Sequence, residues 1–289
     1  MIIPTRNREK YLTKLLDSLE AQVIAPDLVI VVDSSDFMIP SRVLQREFRI
    51  KYIHTPIRSA AKQRNEGMDF VSANLMGNYL ISFLDDDVEV PRHYLQWKIS
   101  FFTRHPEVVG VSGVTRMQPK FREGNFVTRL LGFRGEPGSI TKAIINLAPP
   151  SNGEPVQVSW LIGCSSWNAN LINNLRFEKD FTGNSIFEDV IFSYRAGKSG
   201  KLVCAPELKI DHRLSDLGRD SIKDHYYSWI VNRYRLFYYS DKEFSKSLFV
   251  INTVLLLGYF ALMSIIQKKG SFFKFKGLFF GSFKLLRGR

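Results

Sequence analysis

Hydrophobic and polar positions follow two rhythms along the first hundred residues. Residues 1–3 (MII) form a short apolar run that Pro4 ends. Across residues 9–20 (EKYLTKLLDSLE), Leu12, Leu15, Leu16 and Leu19 recur at helical spacing and share one face. Residues 28–32 (LVIVV) are continuously apolar and mostly β-branched, the pattern of a strand buried on both faces. A short strand at 51–54, a helix over 58–74 and another buried strand at 79–84 (YLISFL) extend the series. A helix over 91–104 follows with Pro91 at its first position, where a missing N–H costs nothing. Residues 108–111 close the pattern. Strands alternating with helices predict an α/β domain on a mostly parallel sheet, with helices on both faces.

The rhythm breaks over 117–157, where Gly, Pro and polar residues gather (FREGN, RGEPGS, APPSNGEP). Loops beside a binding cleft are expected there. Residues 185–199 read as helix, 202–205 and 207–210 as two strands, and 220–239 as an aromatic-rich helix. Residues 247–266 (SLFVINTVLLLGYFALMSII) carry no charge and are just long enough to span a bilayer. The stretch 271–286 (SFFKFKGLFFGSFKLL) alternates aromatic and cationic residues, which suits a membrane interface. A boundary is therefore expected near residue 240, with a folded domain over 1–240 and a membrane-associating segment with a basic tail over 241–289.

Composition sharpens this picture at three points. A hydrophobic content of 45% with 24% charged residues suits a packed core rather than a disordered chain. The net charge of +12 is concentrated, because Lys268, Lys269, Lys274, Lys276, Lys284, Arg287 and Arg289 contribute seven positive charges with no acidic residue among them. A nucleic-acid binder spreads its charge over the folded domain, whereas a basic tail interleaved with Phe and Leu points to anionic lipid. Cys164 and Cys204 form no ligand cluster or disulfide framework, which fits a reducing compartment. The apolar stretch ahead of Arg6, Arg8 and Lys10 is too short for a signal peptide.

Candidate chemistry collects where strands end. Asp85, Asp86 and Asp87 follow the buried strand 79–84, and carboxyl ends of parallel strands frame ligand crevices. Three adjacent carboxylates resist joint ionisation without a cation, and hard oxygen ligands suit Mg²⁺ or Mn²⁺. In extended chain, Asp85 and Asp87 point the same way. The other reading of DDD is a solvated acidic turn before a helix. Asp33 closes VIVVD at a second strand end, followed by the turn-forming Ser34, Ser35 and Asp36. Pro4, Thr5 and Arg6 lie at the same edge after the first strand.

Taken in order, IIPTRNR, VIVVDSSD, SAAKQRNEGM and FLDDDVEV resemble the inverting family 2 glycosyltransferases of the GT-A fold, over about residues 1–240. The resemblance implies that Pro4, Thr5 and Arg6 line a nucleotide pocket and that Asp33 recognises base or ribose. It places Arg64, Asn65 and Asp86 near the donor, Asp85 at ribose or metal, and Asp87 as the main metal ligand. Without the family, Arg64 would read as a helix-surface charge. Phe187-Glu188-Asp189-Val190 is similar to the family's ED motif, which makes Asp189 the general base and Glu188 its substitute. A carboxylate opposite the leaving diphosphate can take the acceptor hydroxyl's proton, while a metal offsets charge on the leaving group. Trp160 and Gly163-Cys164-Ser165-Ser166 resemble the segment between donor and acceptor sites, where a small-residue turn lets backbone approach the sugar closely. His212 matches a position where some relatives carry a metal-binding histidine.

Two departures qualify the match. Relatives carry more strand residues ahead of IIPTRNR, so either the first strand is short or the start lies upstream. The QxxRW of processive synthases is absent, and the nearest residues are His225, Trp229 and Arg233. The expected enzyme therefore adds one sugar from a nucleotide-sugar donor to a lipid-linked or saccharide acceptor, as in polysaccharide or glycolipid synthesis, on the cytoplasmic face of a membrane. A single span over 247–266 would export the basic tail, against the positive-inside tendency, so a re-entrant, hairpin or in-plane segment is expected. The rivals are an inactive scaffold of the same fold and a sugar nucleotidyltransferase, although the latter opens on a Gly-rich loop and PTRNREK has no glycine.

Overall fold

The computed structural model of the chain describes residues 1–116, 121, 123–172, 174–213, 220–266 and 270–287. The loop expected over 117–120 and the basic residues Lys268, Lys269 and Arg289 lie outside the described residues. In chain order the elements are β1 (Ile2–Thr5), α1 (Glu9–Glu20), β2 (Val29–Asp33), α2 (Ser41–Leu44), β3 (Ile50–His54), α3 (Ala60–Asn74) and β4 (Leu80–Ser82). Next come β5 (Val88–Glu89), α4 (Tyr94–Arg104), β6 (Val108–Thr115), α5 (Phe126–Leu130), β7 (Val156–Val158), β8 (Ser165–Asn168) and α6 (Ala169–Ile172). The chain continues through α7 (Glu188–Ala196), β9 (Lys201–His212), α8 (Ile222–Arg235), α9 (Lys246–Ile265) and α10 (Ser271–Arg287).

β1, β2 and β3 are parallel neighbours, with Ile2 opposite Ile30 and Val29 opposite Ile50. A parallel bridge between Ile2 and Phe83 joins them to β4. The sheet then runs β4-β8-β6-β9, with β8 antiparallel to both its neighbours and β6 parallel to β9. β5 and β7 add antiparallel to β9. The period-2 alternation of a strand explains the two cores. Ile30 and Val32 face a cluster with Met68, Val71, Phe83, Trp167 and Phe192, while Val29 and Val31 face the α1 leucines with Tyr94, Phe101 and Phe102. The fold is thus the expected α/β GT-A architecture.

Four expectations change. Pro4 does not end β1: alternate residues of β1 bond β2, through Met1 and Thr5 carbonyls, so the nitrogen of Pro4 faces the other side, where the bridge stops at Ile2. The two strands expected around Pro206 are one, β9, whose register against β6 shifts between Ser112 and Val114. A proline without an N–H fits at such an irregularity. The 117–157 segment holds α5 and β7 rather than loop alone. Finally, Ser165 and Ser166 are not part of a turn but of β8, inside the sheet. Ser166 is buried there and accepts a 2.7 Å bond from the Lys98 ammonium, which burial lowers to about 7.

Beyond the sheet, α10 lies along α8. A methyl group on Gly277 would stand 2.3 Å from the Lys223 carbonyl oxygen, and one on Gly281 2.3 Å from Ile230. Only glycine permits that approach. Arg233 of α8 is fully buried, stacks 4.2 Å from the Trp229 ring centre, and donates to the carbonyls of Ile144 and Ala143. Its third partner, Asn252 of α9, ties the apolar helix to the domain.

Candidate active site

The carboxyl ends of β1 and β4 open into a cleft of about 690 Å³. Asn7 turns the chain after β1 with a left-handed φ of 54°, which asparagine tolerates, and its side chain exchanges bonds with Asp36. That turn sends both Arg6 and Arg8 to the cleft wall. The Arg8 guanidinium donates to Asp86 at 2.9 Å and to Asp87 at 3.4 Å, while the Thr5 hydroxyl donates to Asp86 at 2.7 Å. Burial nevertheless pushes Asp86 up to about 6, against the pull of Arg8 and Thr5.

Asp85 and Asp87 project into the cleft with His212 from the end of β9. One ligand atom from each of the three lies within 4.8 Å of the others. The register of β5 against β9 sets Val88 opposite His212, and this brings the imidazole 2.9 Å from Asp87. Two carboxylates and an imidazole converging at that spacing can hold a divalent cation.

Facing them is the start of α7. Ser185 and Phe187 both adopt left-handed backbone, with φ of 53° and 75°. Such conformations cost on the order of 1–3 kcal/mol each and persist only where surroundings enforce them. Here the Ser185 hydroxyl accepts from the Ala61 N–H, and Asn232 of α8 donates to the Ile186 carbonyl at 2.7 Å. The strained turn presents Glu188 and Asp189 to the cleft. Burial raises Asp189 to about 6, opposed by its hydrogen bond from the Val190 N–H. Glu188 is pushed up to about 8, again by burial first, despite its ion pair with Arg64.

Arg64 is no surface charge. It is 3% exposed and bridges the two sides of the cleft, donating to Asp85 at 2.7 Å and to Glu188. A side chain on Gly163 would start 3.3 Å from that guanidinium, which explains the small residue there. Cys164 is buried beneath, its sulfur 3.5 Å from the Asp85 N–H, and burial holds its thiol well above the usual range.

Other expected residues stand back from the cleft wall. Asp33 is fully buried, with one oxygen bonded by Ser35 and the other by the Tyr52 hydroxyl at 2.7 Å. Asn65 holds the Phe177 backbone at both its N–H and its carbonyl. Trp160 is buried and donates to the Leu147 carbonyl. Pro4, Thr5, Arg6, Arg64, Gly163, Asp85, Asp86, Asp87, Asp189 and His212 meet at one cleft. Sequence reasoning missed Arg8, two residues beyond Arg6 inside the same motif. It also missed His225, Tyr226 and Lys274, which join the wall from α8 and α10. No local pattern marks these, because only the packing of α10 on α8 brings them there.

A nucleotide-sugar transferase fold with a paired-carboxylate cleft is the class these features define. The sequence model described as Glycosyl transferase family 2 matches residues 1–151. The chain belongs to that family and is a glycosyltransferase. Comparison with curated protein sequences returns no match. Among solved structures, S. aureus TarS 1-349 in complex with UDP is similar at 18% identity and a TM-score of 0.55, over 91% of this chain and 71% of that one. Mannosyltransferase PcManGT from Pyrobaculum calidifontis, in complex with GDP-Man and Mn²⁺, is similar at 15% identity and a TM-score of 0.60, over 100% and 86%. At these identities the likeness shows the shared fold.

Proposed function

We propose that this chain transfers one sugar, with inversion, from a nucleotide-sugar donor to an acceptor at a membrane surface. The observation that carries the reading is that Asp85, Asp87 and His212 converge in the same cleft that Asp189 enters from α7. Similar folds bind UDP and GDP-Man, which supports a nucleoside-diphosphate donor. Asp85, Asp87 and His212 would hold the cation, and the imidazole in the set favours Mn²⁺ over the all-oxygen preference of Mg²⁺. That cation would offset charge developing on the leaving diphosphate. Arg6 and Arg8 supply positive charge on the donor side. Asp189 accepts the acceptor hydroxyl's proton as that oxygen attacks the anomeric carbon and the bond to the diphosphate breaks. Arg64 fixes Asp85 and α7 relative to one another.

Membrane association at the cytoplasmic face completes the proposal. α9 has a mean hydropathy of 2.2 over its most apolar stretch and is long enough to cross a bilayer. What supports an in-plane hairpin instead is α10, which returns to pack on α8 of the catalytic domain. Its opposite face exposes Phe272, Phe279 and Phe283 at helical spacing, beside Phe273, Phe280 and Leu286. Lys276, Lys284 and Arg287 interleave with these rings, the composition of a helix lying in an anionic interface.

The test is slow donor hydrolysis in the presence of Mn²⁺, followed by NMR of the released sugar. Inverted anomeric configuration from one nucleotide sugar supports the reading. Retained configuration contradicts it.

A further inference from the structure

Among the described residues of α10, Lys274 alone lines the catalytic cleft. Its ammonium lies 5.5 Å from the Tyr226 ring centre and 5.4 Å from that of Phe260, so it is held where α8, α9 and α10 meet. Cation–π contacts of this kind fix a charge in place without neutralising it. Among the described residues no carboxylate pairs with it. The carboxylates of the cation site are engaged elsewhere, Asp87 by Arg8 and His212 and Asp85 by Arg64. Asp220 and His225 are the other titratable groups on this wall, and Asp220 accepts from the Asn184 N–H at 3.4 Å.

The neighbours of Lys274 on the other side are different. Phe272 and Phe273, two residues and one residue earlier, are half exposed and begin the phenylalanine face of α10. One helix thus turns rings outward and one ammonium into the cleft. If the ring face lies in a bilayer, the ammonium stands near headgroup depth, where phosphate is the abundant anion. Arg6 and Arg8, which follow β1, already supply positive charge for the proposed donor diphosphate, so a further positive charge on a different element, α10, calls for a second anion.

Building on the reading of a membrane-bound glycosyltransferase, we propose that Lys274 holds a phosphate of the acceptor. The acceptor then joins its sugar-accepting part to a lipid through phosphate, and α10 serves as both the membrane contact and one wall of the acceptor subsite. A lysine acts there as a point-charge phosphate binder.

The experiment uses the full chain and three sets of phosphatidylcholine vesicles. One carries a polyprenyl monophosphate, one carries phosphatidylglycerol at matched charge, and one carries the uncharged polyprenol. Co-sedimentation should favour polyprenyl-phosphate vesicles over the charge-matched set. Lys274→Gln should remove that preference, a loss of roughly tenfold in affinity, and Lys274→Arg should keep most of it. Lys276→Gln, on the ring face, should weaken binding to both charged sets alike. Equal wild-type binding to the two charged sets would overturn the inference, as would a Lys274→Gln loss shared equally between them. A fall in nucleoside-diphosphate affinity in Lys274→Gln would overturn it too, by assigning the lysine to the donor. Nucleoside-diphosphate binding by the wild type, measured in the same preparation, separates the cases. If it is intact while the lipid preference is missing, this inference alone fails. If it is absent, the underlying enzymatic reading fails.

Discussion

In the proposed mechanism, the carboxyl group of Asp189 sets the pH at which this cleft can work. A base must be ionised to accept a proton, and burial places this carboxyl near 6 rather than in the ordinary aspartate range. Turnover is therefore expected to be level above that value and to fall about tenfold per pH unit below it. A pH–rate profile that stays flat well below 6 would remove Asp189 from the role. Asp189→Asn should cost about 10²–10⁴-fold in turnover while leaving nucleoside-diphosphate binding in place, as separate kinetic and binding assays would show. Arg64 makes a different prediction. Its guanidinium is buried between Asp85 and Glu188, and removing one member of a buried ion pair strands the rest at a cost of about 3–5 kcal/mol. Arg64→Met should lower the urea midpoint accordingly, and a midpoint equal to wild type would mean the carboxylates are satisfied without it.

Elements explain which parts of this molecule could be read in advance. α1 was legible because four leucines at helical spacing are all buried, and β2 because VIVVD has no polar break until its end. β8 hid because its sequence, SSWN, looks like a turn. Its buried serines are satisfied inside the core, Ser166 by Lys98 and Ser82 and Ser165 by the Trp167 indole N–H. β9 hid behind Pro206, since a local rule about proline cannot anticipate a register shift. The site divides in the same way. That Asp85, Asp87, Asp189 and His212 share one cleft could be expected from motifs, and Arg8 lay unremarked within one, whereas Lys274 required knowing what packs on what. The helix pair α8–α10 carries its own prediction. Gly277→Ala would place a methyl group 2.3 Å from a backbone carbonyl, and such overpacking costs about 1–3 kcal/mol. A lowered melting temperature with weakened vesicle binding is expected. Unchanged behaviour in both would mean that α10 does not dock on α8 as described.

At the scale of the whole molecule, two charge systems flank one cleft. The strand ends gather carboxylates that would hold a cation beside the donor, and the C-terminal helices expose rings and cations for the proposed membrane contact. Replacing Lys276, Lys284 and Arg287 together with Gln should weaken binding to anionic vesicles by about 1 kcal/mol per residue. The loss should shrink as salt rises, and a salt-independent loss would point to helix damage instead. The central claim concerns the other end of the cleft, where Asp87 and its neighbours bind a cation that in turn binds a nucleoside diphosphate. Thermal unfolding with Mn²⁺ and a panel of UDP, GDP, dTDP and CMP tests it most directly, with Asp87→Ala and Asp189→Asn alongside. A ligand at a hundredfold excess over its dissociation constant adds about 2.7 kcal/mol of stability. The account predicts protection by one class of nucleotide, dependent on Mn²⁺, present in Asp189→Asn and lost in Asp87→Ala. Protection by none of them, or equal protection in Asp87→Ala, would contradict it.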